Sequence, residues 1–273
     1  MKCTACGSTN GAEVIRVKEG AYRQCADCGL IYASPMPASL EQINEESFTR
    51  KLDYYAAKIH TQQRRSRKKL SMFTPYRQTG NLLEIGCNAG AVLDVARQMG
   101  WNVKGVDLCA SASDFARTEL GLDVFTGTVE AAALPDNHFD AVFTNAVLEH
   151  CRDPLSVLRE CRRILRPGGV FYGDTVNWDS ITRRLLGIHW EYLNPRGHVH
   201  LYTPQNVVSL CKQAGLEHVR TWTHGVRVCP RSTEGFDRSR CWRLLKGPFL
   251  LAAPWMNKGD HIRFLARKPV ADR

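Results

Sequence analysis

Four cysteines near the start of the chain fall into two pairs, Cys3-x-x-Cys6 and Cys25-x-x-Cys28, with 18 residues between the pairs. Each pair is followed by glycine, in "CTACGS" and "CADCGL", which suits the tight turn that aims both sulfurs at one ion. Four thiolates at this spacing read as a structural zinc site. The first 37 residues carry too few apolar side chains to fold alone, and metal binding would supply that folding energy. A site with four protein ligands has no open position, so the expected zinc is structural and not catalytic. Of the remaining cysteines, Cys151, Cys161 and Cys211 sit in helical patterns and read as small apolar fillers.

A second constellation begins at Leu82, in "LLEIGCNAG". An apolar run carrying Glu84 ends in Gly86, and Gly90 follows four positions later. Glycines at such a bend let backbone approach a ligand closely. The spacing is not G-x-G-x-x-G, and the Gly-Lys-Ser/Thr ending of a phosphate-cradling loop is absent, so a dinucleotide and a nucleoside triphosphate both fit poorly. Asp107 ends the next apolar run, 21 residues after Gly86. A carboxylate across a crevice from such a bend can accept hydrogen bonds from both hydroxyls of a ribose. The expected ligand is a nucleoside that needs no pyrophosphate cradle.

The elements that must hold these residues alternate. "NLLEIG", "NVKGVDL", "LDVFTG", "HFDAVFTN", "GVFYGDTV", "LEHVRTWTH" and "HIRFLARK" read as strands. Between them, "AVLDVARQMG" reads as a helix stopped by Gly100, and "SASDFARTELG" as a helix capped by Ser111 or Ser113. "DPLSVLRECRRILRPGG" is a helix with Asp153 as cap and Pro154 at its first position, and "TPQNVVSLCKQAG" one capped by Thr203 and stopped by Gly215. Such alternation predicts an α/β fold with a parallel sheet and helices on both faces, with ligands at the carboxyl ends of the strands. Residues 39–76 read as helical, with Ser39 and Gln42 as a capping box. The organisation expected is a metal module at 1–37, a helical linker at 38–78, and a catalytic domain at 79–273 interrupted by insertions at about 176–200 and 225–258.

The run "LLEIGCNAGAVLDVARQMGWNVKGVDLCASASDFAR" resembles the first two motifs of class I S-adenosylmethionine-dependent methyltransferases. "FDAVFTNAVLEHCRDPLSVLRECRRILRPGGVFYGDT" resembles their fourth and fifth strand region. "HVHLYTPQNVVSLCKQAGLE" is similar to the branch containing the ubiquinone-biosynthesis O-methyltransferases. The resemblance covers about residues 79–224 and implies a Rossmann-like seven-stranded sheet and S-adenosylmethionine as cofactor. It places Glu84, Gly86, Cys87 and Gly90 on the cofactor loop and Asp107 on the ribose. Leu108 would pack beside the adenine, Thr128, Val129 and Glu130 would line it, and Asn145 would lie near the amino end of the cofactor. His150 in "LEHCRDP" and His198 in "PRGHVHLYTP" become the candidates for proton removal or acceptor contact, histidine being suited to that near neutral pH. His200 would share a face with His198 if that segment is extended. Trp178, Trp190 and Tyr192 would form a packed lid. Ala146 stands where some quinone O-methyltransferases of this branch place an extra carboxylate metal ligand, so that ligand set is incomplete here. The leader "CxxCG…CxxCGLIYASPMP" resembles the zinc-binding leader of many bacterial methyltransferases, some acting in sugar or natural-product pathways.

Composition sets the outer bounds. Apolar residues make up 44%, ample for a core, and net charge is +10. The run "FLLAAPWM" is too short to span a bilayer and the N-terminus has no apolar export signal, so the expected location is cytoplasmic, where thiols stay reduced. A basic surface attracts phosphates. The tract "RRSRKK" at 64–69 is either a solvated helix face or a surface that meets an anionic substrate. Three readings compete. The first is methyl transfer to an O, N or C atom of a small metabolite, neutral or anionic, such as a sugar or natural-product intermediate. The second is an RNA methyltransferase gripping phosphates with its zinc module and basic surface. The third is a cofactor-fold protein that only binds partners. The loop "TNAVLEH" lacks both the Asn/Asp-Pro-Pro-Tyr/Phe motif of amino-group methylation and a Pro-Cys nucleophile, and no aromatics interleave the basic tract as a base-stacking surface would want. Retained glycines and Asp107 speak against an inert scaffold.

Overall fold

The computed structural model describes residues 2–50, 59–227 and 252–270. Residues 51–58 of the expected linker and most of the expected 225–258 insertion lie outside them. The chain opens with strands β1 (Gly11–Val17), β2 (Gly20–Cys25) and β3 (Ile31–Ser34), then helices α1 (Leu40–Thr49) and α2 (Ile59–Leu70) and a 3-10 turn at Ser71–Tyr76. There follow β4 (Asn81–Ile85), α3 (Ala91–Gln98), β5 (Asn102–Asp107), α4 (Ala110–Leu120), β6 (Val124–Thr126) and β7 (Phe139–Thr144). Then come α5 (Pro154–Ile164), β8 (Leu165–Val176), α6 (Ile181–Leu186), β9 (His200–Leu201), α7 (Pro204–Gln213), β10 (Glu217–His224) and β11 (His261–Arg267).

Seven strands form one sheet in the order β10-β11-β8-β7-β4-β5-β6. This is the Rossmann-like architecture, with one correction to the expected parallel sheet: β11 runs antiparallel to both β8 and β10. The reason is local. β10 delivers the chain at the carboxyl edge, with His224 opposite His261, so β11 leaves from that same edge as an antiparallel neighbour must. Period-two alternation sends Leu82 toward Leu70, Phe73 and Leu93 on one face, and Leu83 toward Leu158 and Leu210 on the other. Helices therefore cover both faces.

At the amino ends, buried Asp140 fixes where β4 starts. One oxygen accepts from the backbone N–H groups of Gln78, Thr79 and Gly80 at 2.7–2.8 Å, and the other pairs with Arg166. Asp153 caps α5 through Leu155 N and Ser156 N with Pro154 at the first position, and Thr203 forms a capping box with Asn206, as the sequence implies. Two expected caps differ. α4 starts at Ala110 and Ser113 lies fully buried within it, because the Asp107 carboxylate takes the N–H of Cys109 at the helix entrance. Gln42 does not reach back to Ser39; its amide donates forward to Glu46 Oε1 at 2.9 Å.

A second sheet has the order β1-β2-β3-β9. The N-terminal cysteine-bearing hairpins thus pair with a strand from the middle of the chain, Ile31 opposite Leu201 and Tyr32 opposite His200.

Candidate active site

The bend after β4 places three residues at positive φ, Gly86 at 73°, Asn88 at 49° and Gly90 at 79°. Glycine is required at two of them for a reason beyond ligand access. A Cβ on Gly86 would stand 2.3 Å from Val147 Cγ2, and one on Gly90 2.5 Å from Leu122 Cδ1. The bend is packed on its protein side, so its other side is what a ligand can meet. Asp107 closes the bend from β5: Oδ2 accepts from Asn88 N at 2.7 Å and Oδ1 from Cys109 N at 2.8 Å. Each oxygen keeps a further lone pair for a hydroxyl donor. Burial raises the Asp107 pKa against these two N–H groups.

The other expected cofactor residues divide by where their side chains go. Leu108 is exposed beside Asp107, as a platform for a flat ring must be. Cys87 is buried against Gly105 and can meet a ligand only through its backbone. Thr128 accepts from Ala131 N, Glu130 accepts from Ser156 Oγ, and Val129 is buried in the core. Glu84 is buried with Oε2 lacking any hydrogen-bond partner, and burial pushes its carboxyl well above the usual range. An unpartnered carboxyl oxygen beside a left-handed bend and a ribose-type acid fits a nucleoside carrying a further polar group.

Past β7, the chain turns through Ala146 at φ 56°, with Ala146 N bonded to Asp174 O on β8. This turn sets down Glu149 and His150 beside His198. The rings of His150 and His198 meet edge to face with centroids 4.9 Å apart. His150 Nδ1 bonds Gly197 O at 3.0 Å and His198 Nδ1 bonds Tyr192 O at 2.9 Å. A carbonyl only accepts, so both rings carry their proton on Nδ1 and leave the basic lone pair on Nε2. Ligand atoms of Glu149, His150 and His198 lie within 4.8 Å of one another, a set able to hold a cation without the carboxylate that Ala146 replaces. Burial raises Glu149 to about 7, against its hydrogen bond from Thr175. His200 does not join this pair. It is fully buried, bonded to Thr4 Oγ1 at 2.7 Å and Cys151 O at 2.9 Å, because pairing of β9 with β3 turns it toward the cysteine module. Trp190 and Tyr192 are packed in a core shared with Tyr22, Ile31 and Leu201.

Several residues here escaped the sequence reading. Buried Asp174 gathers His224 Nε2 at 3.1 Å, His261 Nδ1 at 3.3 Å and Arg263 Nε at 2.8 Å, and His261 Nε2 meets Tyr192 Oη at 2.9 Å. Burial alone would push Asp174 up; the hydrogen bonds from His224 and His261 overcome it and hold the carboxyl well below its usual range. Three different strands supply these side chains, so no spacing announces them. The only signal was that Asp174, His224 and His261 each lie near a carboxyl-edge strand end.

The cysteine quartet assembles as its spacing implies. Cys3 Sγ lies 3.5 Å from Cys28 Sγ, Cys6 Sγ 3.5 Å from Cys25 Sγ, and all four sulfurs are within 4.8 Å of one another. A tetrahedron of bonds of about 2.3 Å needs sulfurs at this kind of separation. Cys25 is drawn down to about 7: burial opposes this, and the N–H groups of Cys28 and Asp27 favour the thiolate.

Known proteins share this fold. A methyltransferase-domain family model matches residues 55–221. The chain belongs to the class I S-adenosylmethionine-dependent methyltransferases. The ubiquinone biosynthesis O-methyltransferase of Dinoroseobacter shibae is 30% identical over 181 residues, covering 62% of this chain and 71% of that one. The malonyl-[acyl-carrier protein] O-methyltransferase of Yersinia pestis is 31% identical over 133 residues, about half of each chain. A SAM-dependent methyltransferase from Archaeoglobus fulgidus shares the fold at 17% identity, with a TM-score of 0.56 over 79% of this chain and 99% of that one. No described helix of this methyltransferase is long and apolar enough to cross a membrane.

Proposed function

We propose that this enzyme methylates a nucleophilic atom, foremost an oxygen, of a small metabolite in the cytoplasm, with structural zinc in its cysteine module. When bound, S-adenosylmethionine would supply an activated methyl group on a sulfonium, whose carbon bonds the acceptor atom as its bond to sulfur breaks and S-adenosylhomocysteine leaves. The chain's task is positioning, which supplies roughly 7–11 kcal/mol in well-oriented reactions. Asp107 holds the ribose diol, the backbone from Gly86 to Gly90 lies along the methionine part, and Leu108, Thr128, Val129 and Glu130 border the adenine. Asn145 stands at the amino end. His150 or His198 accepts the acceptor's proton at Nε2, while Tyr192 and Trp190 keep water out.

The observation that carries this reading is Asp107 bonded to the backbone of both the bend and the α4 entrance, with acceptor capacity left over. The O-methyltransferase names of the relatives support oxygen as the acceptor atom. Against RNA as acceptor stands the inward use of the cysteine module, whose β3 is already paired to β9. Incubation with tritiated S-adenosylmethionine and, separately, total RNA and a small-metabolite extract tests it. Label in the extract is expected; label in RNA alone overturns the small-molecule reading.

A further inference from the structure

His224 ends β10, His261 opens β11, and Asp174 lies near the end of β8. Strand pairing sets them on one face of the sheet. His224 lies opposite His261, and Arg263, two residues beyond His261, lies opposite Asp174. The two imidazole rings stack with centroids 5.3 Å apart. One ligand atom from each of Asp174, His224 and His261 falls within 4.8 Å of the others.

An ion-pair network would account for Asp174 but not for His261. His261 Nδ1 is buried, stands 3.3 Å from Asp174 Oδ1 and lacks a well-aligned hydrogen-bond partner. Two ligand atoms each about 2.1 Å from one ion, at roughly 90–110° to each other, stand about 3.0–3.4 Å apart. Each then lies roughly 40° off the other's lone-pair direction, which spoils a hydrogen bond and suits a shared ion. The 3.1 Å between His224 Nε2 and Asp174 Oδ2 falls in the same range.

Metal ligands are oriented by partners behind them, and those partners are present. His261 Nε2 meets Tyr192 Oη at 2.9 Å; with the N–H donated there, the lone pair is on Nδ1. Arg263 Nε bonds Asp174 Oδ2 at 2.8 Å and leaves Oδ1 facing His261. Lys69, the other cation beside Asp174, is engaged elsewhere: its Nζ donates to Asn145 Oδ1 at 2.7 Å and lies 5.1 Å from the Tyr172 ring centroid.

We propose that Asp174, His224 and His261 bind a divalent first-row transition metal, with Tyr192 and Arg263 as positioning residues. Two imidazoles and one carboxylate favour zinc, cobalt or iron(II) over magnesium and calcium, which take oxygen shells. Unlike the cysteine quartet, three protein ligands leave coordination positions open. The set opens outward, the His224 and His261 side chains being 31% and 22% exposed, so an oxygen ligand can reach those positions. The site goes beyond the cofactor reading and does not depend on it.

Cobalt(II) titration of the full chain tests this without cofactor or acceptor, the cysteine module being zinc-loaded as checked by emission spectroscopy. One equivalent of cobalt should bind with the zinc retained, giving weak visible bands and no intense near-ultraviolet thiolate band. His224→Gln and His261→Gln should each weaken cobalt binding by about a hundredfold or more, and Tyr192→Phe by roughly tenfold, the size of effect an outer partner has. His224 is the more exposed ring, so its variant keeps the test open if the His261 variant fails to fold. His150→Gln should leave cobalt affinity unchanged, because His150 belongs to the neighbouring set with Glu149 and His198. No bound cobalt, cobalt found only in place of zinc, or binding lost in His150→Gln and kept in His224→Gln overturns the proposal. Calorimetry with S-adenosylhomocysteine reads the cofactor site separately, so either site can fail while the other stands.

Discussion

The proposed cofactor side and the proposed acceptor side of this enzyme are built in opposite ways. Most of the proposed cofactor side, from Glu84 to Leu108, comes from one stretch of chain, in which a strand, a bend, a helix and a second strand follow one another, and Thr128–Glu130 and Asn145 join it from the next loops along the same half of the sheet. The proposed acceptor side draws on residues 148–150, 174, 192–198, 224 and 261–263, and it is backed by the cysteine module. Tyr22 Oη donates to His198 O at 2.7 Å and accepts from Asn194 N, Ala33 N donates to Val199 O, and Asn206 donates to Cys28 O. The difference teaches that the cysteine module packs as a wall behind the proposed acceptor side and is not an appendage. It touches the segment that carries His198, and nothing described ties it to Asp107.

The most damaging test of that contrast is metal removal. Stripping zinc with a chelator, or Cys25→Ser, should release protection of amides at 20–34 and 190–202 by several kcal/mol, since structural zinc in small modules contributes on the order of 10 kcal/mol. Amides of 81–107 should stay protected in hydrogen-exchange mass spectrometry. Uniform loss would merge the two sides into one unit. Next in size, Asp107→Ala should reduce cofactor affinity at least hundredfold, about two charged hydrogen bonds, with metal content by emission spectroscopy unchanged.

A pH test sharpens the same divide. Burial lowers His200 to about 4, against an unfolded value near 6.5. Between those values the unfolded chain binds the proton and the folded chain does not, so stability falls as pH falls from 6.5 to 4, by about 3 kcal/mol. Urea midpoints of His200→Gln should depend less on pH across that window than those of the wild type; parallel curves would remove His200 from the account. Smallest is Gly86→Ala, expected to destabilise by roughly 1–3 kcal/mol through the left-handed backbone and the contact with Val147. Adding Val147→Ala should recover part of that loss in thermal melts, with no change at the acceptor side.

The sequence by itself determined what depends on neighbours along the chain. It fixed the alternation of strands and helices, the caps at Asp153 and Thr203, the glycine bend with Asp107, and the quartet of cysteines, because each is a short-range pattern of side-chain type and backbone freedom. Only the tertiary structure decided the antiparallel last strand, the pairing of β3 with β9, the inward turn of His200, and the gathering of Lys69, Asp174, His224 and His261 at one edge. These depend on which strands lie side by side and on which face a side chain leaves. Both are settled by burial across the whole sheet, so no local spacing in the chain encodes them.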